Sequence, residues 1–267
     1  MSSDAPAPAA ANGGGTVQKW SPSALISECS SESRSLPSSE GLSGENDAAR
    51  NFAKSAASRE EAQQRELPAR FYEADPDDLL SLIAEMLTQL MAHNDLIPLQ
   101  PSDLTRFHSR ATPSISVDAY LRRMAKYTTL DKPCMLVLLV YIDRVCERMS
   151  GFTLCSLTVH RFVCAAVVCA SKALCDSFST NMHYARVGGI SLVELNMLEK
   201  EFLNCIDWRL IVTAPVMQHY YTSLAQMHPN YKLAPATTPL PTAFPKMSHW
   251  ADDDETSQGV AKSNRLL

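Results

Sequence analysis

The first residues with chemical potential lie in the stretch Val159-His-Arg-Phe-Val-Cys164. His160 and Cys164 stand four apart, which would place both on one face of a helix, as paired metal ligands are. Zinc requires three or four ligands, and no further ligand pair stands at a usable spacing, so no metal is expected. Gly188-Gly189 has no strand before it and lacks the lysine of a phosphate loop, so it reads as a turn. The acidic clusters Asp77-Asp78 and Asp252-Asp253-Asp254 fall at a helix start and in a polar tail, where solvated charge is the expected role. Spacing yields no Ser/His/Asp or Cys/His set. The expectation is a non-catalytic chain without a cofactor.

Three other charged residues are more informative, because each interrupts an apolar stripe. Asp143 follows Cys134-Met-Leu-Val-Leu-Leu-Val-Tyr-Ile142, so neither face of a helix there looks wet. A buried, unpaired carboxylate is costly, so Asp143 must face water or have a cation waiting for it. Lys172 extends the stripe Phe162, Ala165, Cys169, and Glu199 stands inside Leu192, Leu195, Phe202, Ile206, at offsets of three and four. Each could be a rim charge snorkelling to water. On two helices read as successive, Lys172 and Glu199 also suggest a pair at the edge of an apolar patch, reaching a partner's backbone.

The elements that must position these residues read as helices. Asp75-Pro76-Asp77-Asp78 supplies an N-cap, a proline at the first helical position and acids at the positive helix end. Leu79, Leu82, Ile83, Met86, Leu87, Leu90 and Met91 follow at helical spacing. Further helices are expected over about 116–127, from Asp131-Lys-Pro133 onward, over about 158–175, from Ser191 to about Ile206, and from Thr213-Ala-Pro215 to about Met227. Small residues along 158–175 make that helix a candidate for the centre, and Ser191-Leu-Val-Glu194 has the pattern of a capping box. The longest internal connection spans about 176–190. The expected fold class is all-α, a bundle of about six helices.

That bundle occupies 75–228 of 267 residues. Residues 1–70 and 233–267 are poor in large apolar side chains and read as disordered N-terminal and C-terminal tails. Ser21-Pro22 and Thr238-Pro239 in them have the form of proline-directed kinase sites. A net charge of -5 argues against nucleic acid as a partner. No apolar run reaches the ~20 residues that span a bilayer. The N-terminal stretch has no secretory pattern, and eight cysteines without a C-x-x-C suggest a reducing compartment. The expected location is intracellular, in the nucleus, the cytoplasm or both.

Six motifs in order, spanning about 75–228, give the chain a resemblance to a known family. They are His93-Asn-Asp-Leu-Ile-Pro98, Arg106-Phe-His-Ser-Arg110, Ile115 through Tyr127, Val140-Tyr-Ile-Asp-Arg144, Cys169-Ala-Ser-Lys172 and His183 through Leu203. The chain resembles a cyclin, in particular the single-box P- or U-type cyclins similar to the phosphate-starvation cyclin of yeast. The resemblance implies a five-helix cyclin box with an extra helix before it. It also implies a role as the activating, regulatory subunit of a cyclin-dependent kinase, in cell-cycle control or in nutrient and phosphate signalling. A cyclin-fold scaffold that activates no kinase is the alternative. Lys172 and Glu199 would bind the kinase backbone, with Cys169, Leu203, Trp208 and Leu210 as the apolar surround. Asp143 would be buried against an arginine of the first box helix, Arg123, with Arg122 as the fallback. The chain is expected to be monomeric before kinase binding. It departs from two-box cyclins in having Ala173-Leu174 after Ala-Ser-Lys, and Tyr120-Leu-Arg-Arg-Met124 where a substrate-docking Met-Arg-Ala-Ile-Leu would stand.

Overall fold

A computed structural model of the chain describes residues 18–32, 64–128 and 130–235. It divides into a unit ending at Ala234 and a remainder from Pro235, of which Pro235 alone is described. Among the described residues there are eight α-helices. They are α1 (Pro22–Glu32), α2 (Pro76–Asn94), α3 (Val117–Tyr127), α4 (Lys132–Arg148), α5 (Val159–Leu174), α6 (Asn181–Gly188), α7 (Leu192–Cys205) and α8 (Ala214–Met227). Two three-residue strands, β1 (Arg65–Leu67) and β2 (Tyr231–Leu233), pair in parallel with Leu67 opposite Leu233.

Helix α4 is the central post. It packs on α1, α2, α5, α7 and α8, and every residue from Cys134 to Asp143 is buried. Helix α5 packs against α3, α4, α6 and α7. Its alanines and cysteines keep side-chain volume low, so these neighbours can close around it. Aromatic rings fill the join: Phe162 stands edge-on to Phe107 and Phe202, each with ring centroids 5.4 Å apart.

The expected helix starts are present. Asp75 caps α2 through the Asp77 amide at 2.8 Å, and Ser191 caps α7 through the Glu194 amide at 3.1 Å. The expected capping box is only half made, because the Glu194 carboxylate turns instead to Arg161 and Arg106. Those contacts tie α5 and the 104–108 loop to the start of α7.

Two features depart from the expected bundle. The connection at 176–190 contains α6, capped by Thr180 and ended by Gly189 at φ 75°, a left-handed turn that glycine makes without strain. The expected disordered tails lie mostly outside the described residues, Thr238-Pro239 included. Where those tails are described, however, they are ordered. Residues 18–32 carry α1, which buries Leu25 and Ile26, and β1 pairs with β2 at the two chain ends of the bundle.

Candidate partner-binding site

Lys172 lies in the last turn of α5, and Glu199 lies midway along α7. The two helices are not successive, since α6 intervenes, yet they pack side by side. That packing brings Lys172 Nζ to 2.6 Å from Glu199 Oε1. The second carboxylate oxygen, Oε2, accepts from Asn181 Nδ2 at 2.8 Å. Asn181 Nδ2 also lies 2.7 Å from Asn196 Oδ1, so the first turn of α6 braces the pair. Sequence reasoning missed Asn181, which becomes visible only once α6 is recognised.

Both side chains keep a wet edge, at 31% exposure for Lys172 and 16% for Glu199. A partly buried pair of this kind gains less than its Coulomb attraction suggests, because both groups give up water to form it. Its polar groups remain available to a partner.

One helical turn beyond Glu199, half-buried Leu203 continues the α7 face. The chain then leaves the helix through Asp207 and Trp208, both left-handed at φ 57° and 58°. Two consecutive non-glycine residues in that region store strain. The turn is held down from α4. Arg144 donates to the carbonyls of Arg209 and of Ile211, the latter at 3.1 Å. Tyr141 Oη donates to the Leu210 carbonyl at 2.9 Å, and Arg148 pairs with Asp207 at 3.2 Å. The result thrusts Trp208 and Ile211 outward, 66% and 69% exposed. Leu210 is half-buried beside them.

The expected surface residues thus divide. Lys172, Glu199, Leu203, Trp208 and Leu210 all reach the surface. Cys169 does not: it is 2% exposed in the core, and burial pushes its thiol pKa up. It shapes the base beneath Lys172 and offers a partner almost no area. Ile211 was missed, although its position after Trp208-Arg-Leu210 could have suggested it.

Asp143 is buried as expected, at 6% exposure, but its expected partner is wrong. Ser23 donates to Oδ1 twice, from its amide at 3.1 Å and its hydroxyl at 2.9 Å. Tyr220 Oη donates to Oδ2. Arg123 instead reaches the Arg186 carbonyl at 3.4 Å, and Arg122 pairs with Asp118 and Asp77. The reason is placement. Helix α3, which carries both arginines, packs on α2, α5 and α6, whereas Asp143 faces α1 and α8. The carboxylate needed donors and found neutral ones.

His160 and Cys164 do not converge on a common point. His160 Nε2 lies 2.9 Å from the Ile115 carbonyl, and Cys164 packs under Gly188. Among the described residues no three His, Cys, Asp or Glu side chains gather as a metal site, and no helix is long and apolar enough to cross a membrane. Cys134, Cys146, Cys155, Cys164, Cys169, Cys175 and Cys205 are free thiols.

With this geometry established, known proteins supply the comparison. The cyclin family model matches residues 42–210. The Nuc-1 negative regulatory protein preg of Neurospora crassa is 48% identical over 169 residues, covering 62% of this chain and 35% of that protein. The PHO85 cyclin PHO80 of Saccharomyces cerevisiae is 44% identical over 149 residues, 54% of this chain and 51% of the relative. The PHO85 cyclin-like protein psl1 of Schizosaccharomyces pombe is 34% identical over 206 residues, 71% of this chain and 84% of psl1. The chain thus spans about a third of preg and about half of PHO80.

Proposed function

The chain belongs to the cyclin family, and on that premise we propose that it is the non-catalytic, activating subunit of a cyclin-dependent serine/threonine protein kinase. Similar proteins named as PHO85 cyclins support a kinase of that kind as the partner. The observation that carries the reading is the braced Lys172–Glu199 pair on α5 and α7, together with the outward Trp208 and Ile211 in the turn that follows α7. A charged pair sets direction and register, and an apolar surround supplies area and excludes water. Bracing by Asn181 fixes the geometry of the pair in advance, which lowers the ordering cost of a contact outside the chain.

The action follows from linkage. A cyclin that binds the kinase conformation with its own Lys–Glu ion pair assembled shifts the population toward that state. Lys172 donates to partner backbone carbonyls, Glu199 accepts from backbone amides, and Leu203, Trp208, Leu210 and Ile211 cover the adjoining apolar surface. The process served is cell-cycle control or nutrient and phosphate signalling. The proposed setting is intracellular, in the nucleus, the cytoplasm or both, with the chain monomeric until it meets its kinase and without nucleic acid as a partner.

The test is an affinity pull-down from native extract, followed by a protein-kinase assay on the eluate. Wild type is compared with the double variant Lys172→Glu, Glu199→Lys, which keeps an internal pair but reverses its polarity toward a partner. The reading expects active kinase with wild type and little or none with the variant. Kinase that is retained but inactive favours a scaffold, and no kinase in either eluate overturns the proposal.

A further inference from the structure

The segment Lys19–Ser27 is anchored to the box more closely than its composition suggests. Lys19 Nζ lies within 3.0–3.2 Å of four carbonyls, those of Cys146, Met149, Ser150 and Phe152, at the negative end of α4. Trp20 stacks flat on His93 with ring centroids 3.6 Å apart. Its amide and carbonyl are both held by the buried Asn94 side chain, at 2.8 and 3.1 Å. Ser23 then brings its amide and hydroxyl to Asp143. The positive end of α1 is therefore already occupied by an anion, the buried Asp143 carboxylate.

Ser21 stands at that same helix end and is followed by Pro22. Its carbonyl accepts from the Leu25 amide at 3.0 Å. Its Oγ is 3.4 Å from the Ala24 amide and 3.2 Å from Ser23 Oγ, which donates to Asp143 at 2.9 Å. We propose that Ser21 is a phosphorylation site for a proline-directed serine/threonine kinase, and that its phosphorylation releases the Lys19–Ser27 segment from the box. In the reaction the Ser21 hydroxyl oxygen attacks the γ-phosphorus of ATP. The bond from that phosphorus to the β–γ bridging oxygen breaks, ADP departs, and the kinase base takes the hydroxyl proton.

A phosphate at a free helix N-terminus would be welcome. Here the site is taken: the Ser23 amide and hydroxyl already serve Asp143, and Lys19 is enclosed by carbonyls. Two further negative charges would lie one serine away from a buried carboxylate, with few donors left to receive them. Repulsion therefore opposes docking. Pro22 is buried and Ser21 half-buried in the docked state, so the kinase acts on the undocked segment and the product stays undocked. This inference does not depend on which kinase the box binds.

The experiment uses the full chain with ATP and a proline-directed kinase. Mass spectrometry maps the site against Ser21→Ala, and amide hydrogen exchange follows residues 23–27. A peptide of residues 18–27 serves as the undocked reference. Ser21 is expected to be modified in the peptide, more slowly in the full chain, and faster again in His93→Ala, which removes the stacking partner of Trp20. Exchange at 23–27 should rise about tenfold or more on phosphorylation, the scale of a like-charge contact at a partly buried site. The increment should shrink in Asp143→Asn. The proposal is overturned if Ser21 is unmodified in both peptide and chain. Unchanged or slower exchange after modification overturns it too, as does an equal increment with and without the Asp143 charge.

Discussion

Tyr220→Phe removes a single oxygen atom, and that atom donates to a buried carboxylate. The structure gives Asp143 three donor groups: the Ser23 amide, the Ser23 hydroxyl and Tyr220 Oη. Tyr220 is 8% exposed, so water does not readily replace the lost hydroxyl. A hydrogen bond to a charged group is worth about 1.5–3 kcal/mol net. For a unit of this size each kcal/mol moves the melting temperature by about 2–4 °C, so Tyr220→Phe should lower it by about 3–12 °C. Ser23→Ala should cost a similar or smaller amount, because the Ser23 amide still reaches Oδ1. The double variant should depart from additivity, because both changes act on one carboxylate. Arg123→Ala is the discriminating control. Its guanidinium holds one carbonyl at 3.4 Å in a half-exposed place, so the change should stay within about 0.5 kcal/mol. All four proteins can be compared by circular dichroism during thermal and urea unfolding. If Arg123→Ala destabilises as much as Tyr220→Phe, or if Tyr220→Phe is silent, the assignment of Asp143 to α1 and α8 is refuted.

Other perturbations test separate parts of the structure. Gly188→Ala would place its Cβ 2.5 Å from Cys164 Sγ. It should cost about 1–3 kcal/mol, and much of that should return in the double variant with Cys164→Ala, as measured by urea midpoints. Alkaline pH should destabilise the fold. Burial raises Cys164 and Cys205 to about 11 from an ordinary 9.0. The folded state therefore holds protons that the unfolded chain releases, and this stability is complete below pH 9 and is lost as pH rises toward 11. Urea titrations between pH 7 and 11 would show a falling midpoint, and a flat one would contradict the buried-thiol account. His160 acts at the other end. Burial lowers its pKa, so its contribution is present above the ordinary value near 6.5 and declines as pH falls below it. His160→Gln should flatten that acid limb.

Much of the bundle is legible in the sequence alone. The α2 cap at Asp75-Pro76, the α7 cap at Ser191 and the apolar spacing between them are local, and local rules govern helix starts and buried faces. Lys172 and Glu199 were legible for the same reason, since a charge inside an apolar stripe is visible from spacing alone. Helix α6 was missed because its eight residues mix Asn, His, Arg and Gly with few apolar positions, and its stability comes from packing on α5 and α7. Helix α1 was missed because a serine-rich segment offers little burial by itself. Its docking depends on Asn94, His93 and Asp143, which lie 74 to 120 positions away along the chain.

The sequence by itself determined the all-helical class, the main helix boundaries and the family motifs, since each is written in neighbouring residues. It also required that Asp143 find partners, because a carboxylate in an apolar run cannot remain unpaired. Only the tertiary structure decided which partners. Arg123 had the right charge, but α3 carries it to another side of the bundle, and Ser23 and Tyr220 occupy the place instead. The same holds for Cys169, whose helical position put it near Lys172 while the packing of α5 sealed it inside. Electrostatic need is a property of the residue and its neighbours, but the group that meets that need is set by which helices lie against each other.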